Sequence, residues 1–253
     1  SIDGIGFDGG FDPSVSTANL KPLLVLNENT SFTNCKVRNT YGSNIFSKFG
    51  PCVIDGNDLG NYGDHAFYVS ADDTVESETK DIRFSNNIIS QDPSYTNDFA
   101  VGQREAIKIR NKVTTVKIVE NVARRVAIAV RFEADTYPAD DVVIRGNSFF
   151  CEFSPAASSE NYYGVSFATA PTNVRITENF FKGAEDGNGQ GLFANAPVTD
   201  VIFRNNTVTG FNIGMQSSGA DNFAFCTVEG CKIDCPAYAI FQLGKGTVIS
   251  NNK

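Results

Sequence analysis

Apolar and polar residues alternate along most of this chain, in short bursts that share one form. Each burst is a run of alternating residues, an asparagine, and a second short alternating run. Clear copies are "DIRFSNNII", "TVKIVENVA", "DVVIRGNSFF", "NVRITENFF" and "DVIFRNNTV", with weaker copies in "SFTNCKV", "CVIDGNDL" and "TVISNN". Period-two alternation means strand, because successive side chains point to opposite faces. The aligned positions are Asn34, Asn57, Asn87, Asn121, Asn147, Asn179, Asn206, Gly230 and Asn252, at spacings from 22 to 34 residues. Asparagine tolerates the left-handed backbone region, so the pattern predicts a sharp bend at this residue between two strands. Stacked copies would let the asparagine side chains hydrogen-bond in a ladder.

A third strand follows in each repeat. Its copies are "HAFYVS", "EAIKIR", "VAIAVR", "YGVSFA", "QGLFAN", "IGMQSS" and "YAIFQL". The alignment sets Ala66, Ala106, Ala127, Gly164, Gly191, Gly214 and Ala239 at one small position, each followed by an apolar core residue. Helical periodicity is absent. Three short strands per repeat, with loops of varying length between them, predict an all-β chain: a single-stranded right-handed parallel β-helix of about nine coils. At about 4.8 Å per coil the rod is about 40 Å long. A β-sandwich would not explain an asparagine at one phase of every repeat.

Composition narrows the partners. The net charge of −8 argues against nucleic acid or an anionic membrane as a main partner, and no apolar run is long enough to span a bilayer. No linker divides residues 1–253, which read as one domain. Both ends, "SIDGIGFDGG" and "GTVISNNK", read as mid-pattern, so the chain reads as a piece of a longer one. Six cysteines permit disulfides, but with no CxxC pair and one histidine they do not make a zinc site. Most read as small buried residues of the core.

The repeat phase resembles that of pectin-lyase-like right-handed β-helix proteins, which include polysaccharide lyases, some glycosidases and epimerases, and bacteriophage tailspikes. The resemblance covers nearly the whole chain. It implies that the strands around the asparagine bend form a second and a third sheet, and that the strand opening at the small residue forms a first sheet. It also implies a polysaccharide lying along the outer face of that first sheet, an extracellular or virion-associated setting, and a homotrimer if the parent is a tailspike.

Counted from the small residue, outward positions fall one before, two after and four after. They give His65, Tyr68 and Ser70, then Glu105, Lys108 and Arg110, then Ala129 and Arg131 with Glu133 just beyond, then Tyr163 and Ser166, then Gln190, Phe193 and Asn195. Five charges thus fall in two adjacent coils, flanked by aromatics that offer flat faces to sugar rings. In this alignment Arg110 and Arg131 are equivalent, one coil apart, and need a carboxylate between them, from Glu105, Glu133 or an acidic sugar. The segments "SQDPSYTNDFAVGQ" and "EFSPAASSENYY" are placed to wall a groove over this face.

Glu105, Arg110 and Arg131 are similar in spacing to a motif of alginate- and chondroitin-type lyases. There the first residue can bind calcium, the second is a lysine base and the third aids neutralisation. Here arginine stands at the base position, and arginine rarely loses its proton. Lys108, on the same face, is the alternative base, with Arg110 and Arg131 as neutralisers. In a hydrolase, Glu105 and Glu133 would be the acid and base pair. His65, Tyr68, Tyr163, Phe193 and Asn195 would contact the glycan. No cofactor is specified beyond a calcium ion that the resemblance leaves open. The same stripe also reads as a solvated, ion-paired face of a non-catalytic binding or structural rod. Asp140–Asp141 and Asp72–Asp73 read as turn chemistry.

Overall fold

The computed structural model describes residues 1–10, 22–72, 77–92, 105–152, 162–184, 189–219, 222–241 and 243–253. Among these residues there is no helix; the strands form three parallel sheets of ten, nine and nine strands. Each strand pairs with its equivalent one coil before and one coil after, so every sheet runs the length of a right-handed β-helix. The second sheet holds strands such as Val113–Val119 and Asp140–Arg145. The third holds Val122–Arg124 and Ser148–Cys151. The first holds His65–Ser70, Glu105–Arg110 and Ile128–Glu133. The strand pairing builds the architecture, and the core fills the tube: Phe67 stacks on Phe84 at 4.8 Å, Phe132 on Phe167 at 5.0 Å and Phe149 on Phe181 at 5.5 Å.

The asparagine ladder exists at the bend between the second and third sheets. Asn87 Oδ1 accepts from the backbone N of Asn57 at 3.0 Å and from its Nδ2 at 2.9 Å. Asn121 Oδ1 receives the same pair from Asn87, and Asn147 from Asn121. The chain continues through Asn179 to Asn206. Each Nδ2 also donates to a strand carbonyl, as Asn121 does to Phe84 O at 2.9 Å.

Two details of the expected bend are corrected. The left-handed residue is the one before the ladder asparagine: Asn34, Gly56, Asn86, Glu120, Gly146, Glu178, Asn205, Gly230 and Asn251, with φ from 51 to 67°. The ladder residue itself points inward and, from Cys35 to Cys231, is buried. At Asn34 and Gly230 the ladder position is therefore the next residue, a cysteine. Cys35 Sγ donates to Thr33 O at 3.1 Å, and Cys231 Sγ to Phe203 O at 3.5 Å, so the thiol takes over the donor role of the amide. All six cysteines are free; five are buried, and burial pushes the Cys226 thiol up to about 11.

The small position of the first sheet has a steric cause. A Cβ on Gly164 would lie 2.4 Å from Gly191 O and 2.8 Å from the Phe181 ring. The chain turns here, and two successive residues face the core. Outward residues consequently sit one before and two after, as the sequence indicates. The register of the second charged coil is corrected, however. Glu105 pairs with Ile128, Lys108 with Arg131 and Arg110 with Glu133. The small residue of that coil is Ala129, fully buried, and not Ala127. Ala129 is therefore not outward, and Arg110 and Arg131 are not equivalent positions.

Candidate functional site

The corrected register places opposite charges in contact across two coils of the first sheet. Arg131 stands beside Lys108, and Glu133 beside Arg110. Lys108 Nζ lies 3.1 Å from Glu133 Oε2 and 3.8 Å from Glu105 Oε2. Arg131 Nε lies 3.3 Å from Glu105 Oε1 and 3.2 Å from Glu133 Oε2. Arg110 reaches Asp135 at 2.9 Å and Glu133 at 3.8 Å, and the Tyr68 hydroxyl also holds it. Burial alone would raise the Glu133 carboxyl, but Lys108, Arg131 and Arg110 together bring it below the usual carboxylate range.

Beneath this layer lies a buried pair. His65 and Glu105 are 3% and 2% exposed, with Nε2 to Oε2 at 2.8 Å. The other imidazole nitrogen meets Asp64 Oδ2 at 2.8 Å and Ser43 Oγ at 3.1 Å. Desolvation disfavours the imidazolium, yet Asp64 and Glu105 outweigh it and raise the His65 pKa above its ordinary value. Tyr68 covers the ring at 5.0 Å between centroids. His65 and Glu105 thus reach the outer face only through Tyr68, Lys108 and Arg131.

The whole cluster sets four carboxylates, Asp64, Glu105, Glu133 and Asp135, against Lys108, Arg110, Arg131 and His65. Sequence reasoning missed Ser43, Asp64 and Asp135. Asp64 precedes His65 directly, and Asp135 continues the period-two face two residues beyond Glu133, so spacing alone could have found both. A calcium ion does not fit at Glu105: calcium requires a shell of oxygen ligands, and this carboxylate is instead faced by an imidazole, a guanidinium and an ammonium.

Aromatic pairs flank the charges. Phe46 and Tyr68 lie at 5.0 Å on one side; Tyr163 and Phe193 stack at 5.0 Å on the other. Lys108 Nζ sits 5.8 Å from the Tyr68 ring centroid. Phe193 follows Ser166, and Arg131 precedes it, in one register row. Asn195 is exposed and accepts from Ser218 Oγ at 2.9 Å. The segments expected to wall the groove fall mainly on residues 93–104 and 153–161, outside the described residues.

The fold and this face define a parallel β-helix whose outer first sheet carries a closed ionic cluster between aromatic shelves. No family model and no curated protein matches the chain in sequence. Among solved structures, one described as Geobacillus virus E2 ORF18 is similar at 13% identity and a TM-score of 0.39, over 97% of this chain. This chain spans 57% of that protein's length.

Proposed function

We propose that this protein binds a polysaccharide chain laid along the outer face of the first sheet. The observation that carries the reading is the aromatic, charged, aromatic order of one face, with Tyr68, Lys108, Arg131, the small Ser166 and then Phe193 in successive coils. Rings at Tyr68, Tyr163 and Phe193 offer stacking surfaces for sugar rings. The cluster between them, balanced in charge, offers fixed donors and acceptors to hydroxyl and acid groups. Because its cations already hold carboxylates, this reading makes the face a recognition surface before it makes it a reaction centre. It places the protein outside a cell or on a virion, in a trimeric assembly if it is tailspike-like.

A panel of acidic and neutral polysaccharides in affinity electrophoresis tests it. Tyr68→Ala and Phe193→Ala should each weaken binding about tenfold, the equivalent of one lost ring contact of roughly 1.4 kcal/mol. Retention unchanged in both variants would refute the proposed face.

A second reading, glycan cleavage, is favoured by the two carboxylates held around Lys108 and Arg131. As a lyase, Lys108 would take the proton α to a uronate carboxylate while Arg131 and Arg110 neutralise the developing charge. As a hydrolase, Glu105 and Glu133 would act as acid and base. Ultraviolet absorbance from unsaturated uronates, lost in Lys108→Ala and Arg131→Ala, supports the first. New reducing ends lost in Glu133→Gln support the second. Binding without either product leaves recognition as the function.

A further inference from the structure

A concavity lies on the outer face of the third sheet, away from the ionic cluster. It encloses about 660 Å³, within the range of small-molecule sites. The sequence explains why a notch forms here. Gly60, Ser90, Arg124 and Phe150 occupy one register row in successive coils. The two small residues leave a gap two coils wide, about 10 Å, between larger side chains.

Arg38 forms the floor of this gap. Its guanidinium crosses over Gly60 and donates to both Ser90 O and Ser90 Oγ at 3.1 Å, while its other terminal nitrogen pairs with Asp58. A Cβ on Gly60 would lie 2.0 Å from Arg38 Nη1, so only glycine lets the arginine pass. Arg124 forms the far wall, its guanidinium carbon 4.2 Å from the Phe150 ring centroid. Arg125, next along the chain, also lines the notch. Among the described residues, no carboxylate forms an ion pair with Arg124 or Arg125. The carboxylates of the lining are Asp8, Asp92 and Glu152. Asp8 accepts from Gly10 N and from Asn39 Nδ2, and Glu152 faces Lys182 at 3.9 Å.

We propose that this notch binds the acid group of a single anionic sugar unit, with Arg124 and Arg125 as the clamp and Arg38 as a fixed cationic floor. Planar guanidinium groups match a carboxylate bidentately. The carboxylates in the lining repel an extended polyanion, which limits the site to one acidic residue. The choice of a sugar rests on the polysaccharide reading above; the anion clamp does not.

Titration of the folded protein with sodium glucuronate, glucose and inorganic phosphate, followed by NMR shifts, tests this. Glucuronate should bind and glucose should not. Arg125→Asn keeps a residue that tolerates the left-handed backbone at φ 58°, and should lower glucuronate affinity at least tenfold. Arg124→Gln should do the same. Tyr68→Ala, on the other face, should leave glucuronate affinity unchanged while weakening polysaccharide binding, so the two sites fail separately. Equal binding of glucose, unchanged affinity in Arg125→Asn, or shifts with phosphate but not glucuronate would each overturn the assignment.

Discussion

Asn121→Ala should destabilise the rod by about 3–6 kcal/mol, because two to three buried groups lose partners at roughly 1–3 kcal/mol each. Asn121 is fully buried and serves three coils at once. Its Oδ1 accepts from Asn87 N and Nδ2; its Nδ2 donates to Phe84 O at 2.9 Å and to Asn147 Oδ1 at 3.0 Å. Alanine leaves Asn87 N and Phe84 O without those bonds at a fully buried position. Asn121→Cys should fall between wild type and alanine, because Cys35 and Cys231 show that a thiol at this position still donates to a strand carbonyl. Urea unfolding followed by circular dichroism reads the difference. The ladder also couples neighbouring coils, so a break at its centre should split the transition into two. A loss below about 1 kcal/mol, too small for even one buried unsatisfied group, would show that the ladder is ornamental to stability.

The same ladder shows how much of the fold is legible in the sequence. Three strands per coil were legible because every coil performs the same task, so apolar positions and asparagines recur. The phase of the bend was less legible. Doubled asparagines at 86–87, 205–206 and 251–252 fill the left-handed position and the ladder position with one residue type, and the pattern cannot say which is which. Cysteine in the ladder at 35 and 231 then drew the alignment one residue early. In the charged coils the error was two residues, from Ala129 to Ala127. A two-residue slip preserves the inward and outward faces, so periodicity cannot detect it. It does change partners: it set two arginines side by side where the structure sets Arg131 beside Lys108 and Arg110 beside Glu133. The five charges were therefore legible as a stripe, while their closure into ion pairs was not. The third-sheet notch was invisible for another reason. Arg38 and Arg124 are far apart in sequence, and only the small residues of the two coils between them bring them to one gap.

The buried His65 gives the second large effect, a stability that falls on the alkaline side of neutrality. The groups around it are Asp64 and Glu105 at 2.8 Å, Ser43 at 3.1 Å and the Tyr68 ring, with Lys108 and Arg131 on the far side of Glu105. Desolvation opposes the charged ring, but the two carboxylates prevail and raise its pKa in the folded state. A raised folded pKa means that the stabilisation is complete below the unfolded value, about 6.5, and is lost as pH rises through the folded value. Glu133 acts in the opposite sense. Its lowered pKa stabilises above the ordinary carboxylate range, and that contribution is lost as pH falls through the folded value. The urea midpoint should therefore pass through a maximum between the two limbs. His65 is the chain's single histidine, so one imidazole signal in a proton–carbon NMR titration reports its midpoint directly. That midpoint is expected above 6.5. At pH 6, His65→Gln should cost about 3 kcal/mol, the lower end for breaking a buried charge pair, and should abolish the alkaline limb. Glu105→Gln in the same background should restore part of the loss, because it removes the carboxylate that His65 no longer faces. A histidine midpoint at or below 6.5, or an alkaline limb that survives His65→Gln, would mean that the ring is held neutral and that Glu105 is balanced by Arg131 and Lys108 alone.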